Sequence, residues 1–189
     1  MIQIAIFASG SGSNAENIIH YFKNHTTISV SIILTNNRRA KVLDRAERLG
    51  VPSAVFSRDE FVGSDFVLEH YLKDIDFIVL AGFLWKVPKN LIEAFPNKII
   101  NIHPALLPKY GGKGMYGMHV HEAVVSNKEQ KSGITIHYVN EYYDEGEVIF
   151  QAEVAISTED TPEDVATKIH ALEYEHFPKV IEKEILASL

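Results

Sequence analysis

The sequence contains no cysteine. That excludes a disulfide framework, a thiolate zinc site and a cysteine nucleophile, and it fits a reducing compartment. No apolar run approaches the roughly 20 residues of a membrane span. Basic charge is also short: 18 Lys and Arg against 25 Asp and Glu give a formal net charge of −7. This balance disfavours broad nucleic-acid binding, which runs on phosphate neutralisation, and leaves room for one local anion site. The amino terminus, Met1-Ile2-Gln3-Ile4-Ala5-Ile6-Phe7, lacks a basic n-region and turns glycine-rich at once, so it reads as a first strand rather than a signal peptide. No internal repeat, low-complexity stretch or linker stands out. The expectation is a cytoplasmic protein with neither membrane nor nucleic-acid partner.

What is present reads as one globular domain over residues 1–189, with 46% hydrophobic and 23% charged residues. Residues 2–8, 28–34, 77–80 and 98–102 are nearly continuous apolar or β-branched runs, the mark of strands covered on both faces. Between them, 15–23, 40–49, 66–73 and 88–95 carry helical patterns. Strand and helix alternate, so the first hundred residues predict a doubly wound, Rossmann-like α/β arrangement with a mostly parallel sheet. Later, 133–139 and 147–156 predict an antiparallel strand pair. Thr161-Pro162-Glu163-Asp164 starts a long last helix, expected to bend or break near Pro178.

Three places could carry chemistry. Ser9-Gly10-Ser11-Gly12-Ser13-Asn14 follows a buried strand and opens a helix. Glycines let a ligand approach the backbone, and the helix start offers unpaired amides, so the loop suits a phosphate. The plain alternative is a tight strand–helix turn capped by Ser13 or Asn14. The loop is no dinucleotide fingerprint, because Ala15 follows Asn14 and no third glycine comes on cue. Asn101-Ile102-His103-Pro104 ends a strand, where open α/β sheets bind ligands. Its amide and imidazole leave the strand on one face, a pairing suited to an oxyanion and a proton transfer; a polar strand end is the alternative. Asp144 lies in a turn and matters only if it faces His103, whose pKa a carboxylate would raise.

The other histidines read more plainly. His119 and His121 have no acidic or cysteine cluster beside them, so no metal site is expected. His137 alternates with Ile136 and Tyr138 in a strand and reads as a support for the site. His170 and Glu173 are helix neighbours at i,i+3 on what is by default a solvated face.

The order of Ser9–Asn14, Leu80-Ala81-Gly82-Phe83, Asn101-Ile102-His103-Pro104-Ala105-Leu106-Leu107-Pro108 and Gly133–Val139 leading to Asp144 and Gly146 resembles the phosphoribosylglycinamide formyltransferase family, from Ile4 to about Pro178. The resemblance implies 10-formyltetrahydrofolate as co-substrate and the amine of glycinamide ribonucleotide as acceptor, without a metal, in a monomer or homodimer. It makes Asn101, His103 and Asp144 the catalytic triad. Gly12, Ser13 and Asn14 become the phosphate loop, and Glu173, with His170 beside it, the substrate contact on the last helix. Leu84, Trp85, Lys86 and Val87 become a wall of the folate pterin pocket. Asn140, Glu141, Tyr142, Tyr143 and Asp144 become the loop over the pterin, and Arg58 a basic folate contact. The amine would attack the formyl carbon directly, through a tetrahedral intermediate, with Asp144 keeping His103 charged.

The sequence departs from the family pattern at three points. Trp85-Lys86 stands where an arginine and an apolar residue are usual, Glu145 replaces a frequent glycine, and the loop at 111–118 is long. Related hydrolases usually add an N-terminal regulatory domain, and tRNA formyltransferases a C-terminal one, so neither is expected here. A sugar-amine formyltransferase and a non-catalytic phosphometabolite binder are the remaining rivals.

Overall fold

The alternation read from the sequence becomes fourteen elements. β1 (Ile2–Phe7), α1 (Ser13–Phe22), β2 (Ile28–Thr35), α2 (Val42–Leu49) and β3 (Ser53–Val55) come first. α3 (Arg58–Val62), α4 (Phe66–Tyr71), β4 (Phe77–Leu80), α5 (Lys89–Ala94) and β5 (Ile99–His103) follow. α6 (Met118–Ser126), β6 (Lys131–Tyr138), β7 (Val148–Ala155) and α7 (Pro162–Ala187) complete the chain. The computed structural model describes all 189 residues and divides them into two compact units, Met1–Ile100 and Asn101–Leu189.

In the first unit, β1 pairs in parallel with β2 and β4, and β2 pairs in parallel with β3. Ile4, Ile6 and Phe7 of β1, Ile33 and Leu34 of β2, and Ile78 and Val79 of β4 are buried. That is why these strands read as unbroken apolar runs: both faces are covered. Phe7, Phe56, Phe61 and Phe83 pack together by stacked, edge-to-face and tilted contacts with centroids 4.9–6.1 Å apart.

In the second unit, β6 pairs antiparallel with β7. The register places Ile134 opposite Ala152, and it shifts between Ile136 and His137. Extra twist at such a bulge re-aims the side chains beyond it. α7 begins as its sequence predicts: Thr161 and Asp164 form a reciprocal capping box and Pro162 occupies the first turn.

The α/β class, the parallel strands, the later antiparallel pair and the long last helix therefore match the sequence-based expectation. One expectation is corrected. α7 is not broken at Pro178; it runs from Pro162 to Ala187. A proline inside a helix lacks one backbone donor and crowds the preceding turn. Burial of Phe177, Val180 and Ile181 around it holds the helix together regardless. β3, α3 and α6 escaped the sequence reading. The first two span three and five residues, too few for a periodic signal, and α6 starts straight from a glycine-rich loop at Gly117. No helix is long and apolar enough to cross a membrane.

Candidate active site

The loop after β1 belongs to the first unit. Gly12 caps α1 with φ 73°, and no side chain supplies the cap hydrogen bond. Neither Ser13 nor Asn14 is the N-cap, so that reading of the loop is corrected: both are the first residues of the helix itself. A Cβ on Gly12 would lie 2.3 Å from Val42 Cγ2. α2 thus presses directly on the loop, and Val42 N–H donates to the Gly10 carbonyl at 3.1 Å. Arg45 Nε donates to the Ser11 carbonyl at 2.7 Å, and its guanidinium also pairs with Glu16. The turn is fixed from outside and leads directly into the start of α1, the kind of position that favours an anion. Ala at position 12 is expected to lose about 1–2 kcal/mol from left-handed backbone alone, with a further loss from the Val42 clash. Chemical denaturation of Gly12→Ala checks this; an unchanged midpoint would show that the loop relaxes freely.

Ser9 ties this loop to the stretch after β4. Its hydroxyl donates to Asn36 Oδ1 at 2.7 Å and accepts the Leu84 N–H at 3.0 Å. Leu84 and Lys86 are exposed, Trp85 is half-buried and Val87 is buried. Trp85 leans on Phe56 and Phe61, and the Arg58 guanidinium lies 5.7 Å above its ring, a cation–π arrangement. Arg58 opens α3 directly after the Ser57 cap.

The second unit holds the titratable cluster. Asn101 and His103 leave the end of β5, and the chain beyond them is fastened by Thr135 of β6. The Thr135 hydroxyl donates to the Ala105 carbonyl at 2.7 Å and accepts the Leu107 N–H at 3.0 Å. His103 is 3% exposed. Its Nε2 lies 2.7 Å from the Tyr110 carbonyl, so Nε2 carries a proton and donates it. Nδ1 faces Asp144 Oδ2 at 3.6 Å. Asp144 adopts φ 55°, and its Oδ2 also accepts the Gly112 N–H at 2.9 Å. Asn101 Nδ2 lies 3.0 Å from His137 Nε2, and that nitrogen is 3.7 Å from Asp144 Oδ1. One carboxylate thus stands between two imidazoles.

The electrostatics correct one expectation. Burial pushes the His103 pKa down, and it outweighs the upward pull of the Asp144 carboxylate and the Tyr110 carbonyl. A carboxylate neighbour alone predicted the opposite sign. Burial acts on Asp144 too, tending to raise its carboxyl, but the contact with His137, the charge of His103 and the Gly112 N–H hold it below the usual range.

On α7, Glu173 is 6% exposed and accepts from His170 Nδ1 at 3.0 Å. That bond raises the His170 pKa against its partial burial. Glu173 therefore does not lie on a solvated helix face, whereas His170 beside it is exposed. His121 on α6 is buried, and burial lowers its pKa, with His170, Glu173 and His103 close enough to act on it electrostatically. In the 140–144 turn, Asn140 Oδ1 accepts the Tyr142 N–H at 2.9 Å. Glu141, Tyr142 and Tyr143 are exposed beside Asp144. Aromatic faces next to a carboxylate suit a flat heterocycle rich in N–H donors.

Sequence reasoning missed Thr135, Tyr110 and Gly112. The last two act through backbone atoms, for which no side-chain signal exists. Thr135 was legible only as a strand residue.

Comparison with known proteins gives a consistent answer. The formyl transferase family model matches residues 2–181. The chloroplastic phosphoribosylglycinamide formyltransferase of Arabidopsis thaliana is 38% identical over 187 residues, which cover 95% of this chain and 64% of that protein. A Vigna unguiculata protein of the same description is covered to 60%, so the chain spans less than two thirds of the length of these plant relatives. The phosphoribosylglycinamide formyltransferase of Bacillus subtilis is 34% identical, with 97% of this chain and 94% of that one covered. Among solved structures, the phosphoribosylglycinamide formyltransferase of Bacillus halodurans superposes with a TM-score of 0.84 at 37% identity, covering 96% of this chain and 94% of that one.

Proposed function

The chain belongs to the formyl transferase family, and we propose that within it residues 1–189 form one domain that transfers a formyl group from 10-formyltetrahydrofolate to the amine of glycinamide ribonucleotide, a step of purine synthesis. The observation that carries this reading is the group formed by Asn101 and His103 at the end of β5 and Asp144 from the turn between β6 and β7, with His103 Nε2 bonded to the Tyr110 carbonyl and the carboxylate 3.6 Å from Nδ1.

The chemistry follows from that geometry. Asn101 donates a hydrogen bond to the formyl oxygen as it gains negative charge under attack by the amine, the interaction that stabilises a tetrahedral intermediate. His103, kept below its ordinary pKa by burial, accepts the proton that the attacking amine loses. Asp144 then stabilises the imidazolium so formed, and His103 returns the proton to the leaving folate nitrogen. For this, the neutral ring carries its proton on Nδ1, toward Asp144, and Nε2, released from the Tyr110 carbonyl, offers its lone pair to the attacking amine. The protein forms no covalent bond with the formyl group.

Residues 12–14 would hold the ribonucleotide phosphate at the start of α1, while His170 and Glu173 of α7 would contact the same substrate. Arg58, Leu84–Val87 and Asn140–Asp144 would contact the folate. No metal takes part in this scheme. The expected setting is the cytoplasm, with small-molecule partners only and a monomeric or homodimeric chain.

An acceptor panel tests the reading. Purified protein and a 10-formyl folate are offered glycinamide ribonucleotide, a sugar amine, methionyl-tRNA or no acceptor. Folate deformylation that requires the ribonucleotide is expected. Formate release without acceptor makes the protein a hydrolase, turnover confined to another amine reassigns the acceptor, and ribonucleotide binding without turnover makes it a binder.

A further inference from the structure

His137 is 2% exposed and takes no part in the chemistry above, yet its two ring nitrogens are both committed. Nδ1 lies 2.8 Å from the Tyr138 carbonyl oxygen. A carbonyl only accepts, so Nδ1 carries the proton. In the neutral ring Nε2 is then a bare lone pair. Of the two groups near it, Asp144 Oδ1 at 3.7 Å is beyond hydrogen-bond reach and has no proton to give. Asn101 Nδ2 at 3.0 Å has two.

We propose that His137, fixed as its Nδ1–H tautomer, is a positioning residue that orients the Asn101 amide for the oxyanion. The Asn101 NH2 gives one hydrogen to His137 Nε2, and its second hydrogen is left for the formyl oxygen. The opposite tautomer would reverse the arrangement. A proton on Nε2 would repel the Asn101 NH2, and the amide would turn its oxygen toward His137 and away from the donor role.

The local fold enforces the choice. The register shift between Ile136 and His137 re-aims the His137 ring within β6. Tyr138 N–H donates to the Glu147 carbonyl at 2.9 Å, which pins the peptide whose carbonyl Nδ1 reads. Gly146 leaves the room: a Cβ there would lie 1.6 Å from the Tyr138 oxygen and 3.3 Å from His137 Nδ1. The glycine two residues after Asp144 therefore has a physical task in the site. It keeps clear the carbonyl that selects the tautomer.

This inference rests on the formyl-transfer reading for its kinetic effect, but not for the tautomer. Kinetically, His137→Leu is expected to lower kcat about 10²-fold, the loss of one oyxanion donor, with KM for both substrates within about twofold. His137→Gln, whose amide oxygen also accepts from Asn101, is expected to recover about tenfold of that loss. The double variant with Asn101→Ala is expected to be no slower than Asn101→Ala alone, because His137 acts through Asn101. Additive losses, wild-type kcat in His137→Leu, or no recovery in His137→Gln would overturn the proposal.

Nitrogen-15 NMR of the folded wild-type protein reads the tautomer directly and needs neither turnover nor a stable variant. A protonated Nδ1 and an unprotonated, hydrogen-bonded Nε2 are expected on His137, with the Nε2 resonance moving in Asn101→Ala. A protonated Nε2 overturns the proposal even if formyl transfer is confirmed. The expected tautomer in a protein without transferase activity would leave the orientation of Asn101 standing and remove the reaction it serves.

Discussion

His103→Ala is expected to lower turnover by about 10²–10⁴, the usual contribution of a positioned general acid–base group, with both substrates still binding nearly normally. The imidazole is buried, and it meets the rest of the site through two atoms, Nε2 at the Tyr110 carbonyl and Nδ1 toward Asp144. Alanine removes the proton carrier and leaves the proposed phosphate loop and folate-contact residues unchanged, so the loss falls on kcat rather than on KM. It also leaves Asp144 without one of the two imidazole neighbours that hold its carboxyl low. Steady-state kinetics with both substrates varied checks this. Turnover above about half of wild type would remove His103 from the reaction.

Asp144→Asn is expected to produce a loss of the same order, together with a shift in pH dependence. Asp144 raises the His103 pKa against burial, which is the larger influence and lowers it. Without the carboxylate, only weaker upward influences oppose burial, so the His103 pKa falls further. The limb of the pH–rate profile that reports His103 should therefore move to lower pH, and a limb that stays in place would contradict the pairing. Stability gives a second reading of the same groups. Both His103 and Asp144 have folded-state pKa values below their ordinary ones. The unfolded chain then binds more protons on acidification, so stability is fully present above an unfolded histidine pKa of about 6.5 and declines as pH falls below it. The Asp144 contribution is lost further down, below the ordinary aspartate value of about 3.9.

Much of the fold was legible because its strands are buried on both faces. Ile2–Phe7 and Phe77–Leu80 read as strands from composition alone, and Thr161 with Asp164 announced the last helix by its cap. Asn101, His103 and Asp144 were legible as a set through family resemblance; spacing alone left His103 as either a catalyst or a polar strand end. What the sequence hid depends on surroundings. The direction of the His103 pKa shift needs its burial, which outweighs the neighbouring charge. The Tyr110 carbonyl and Gly112 N–H are backbone groups that every residue carries. The grip on the Ser9–Asn14 loop comes from Val42 and Arg45, about thirty residues along the chain. Pro178 does not break α7, because the packing around it outweighs the local rule about proline.

The central claim is direct transfer of the formyl carbon from folate nitrogen to substrate amine, managed by His103 and Asp144 without a protein-bound intermediate. Carbon-13 NMR of a reaction started with folate labelled at the formyl carbon tests it most directly. The label is expected to appear on the formylated amine of glycinamide ribonucleotide in step with its loss from folate, with no formate released. Label found as free formate, or held on the protein, would contradict the account.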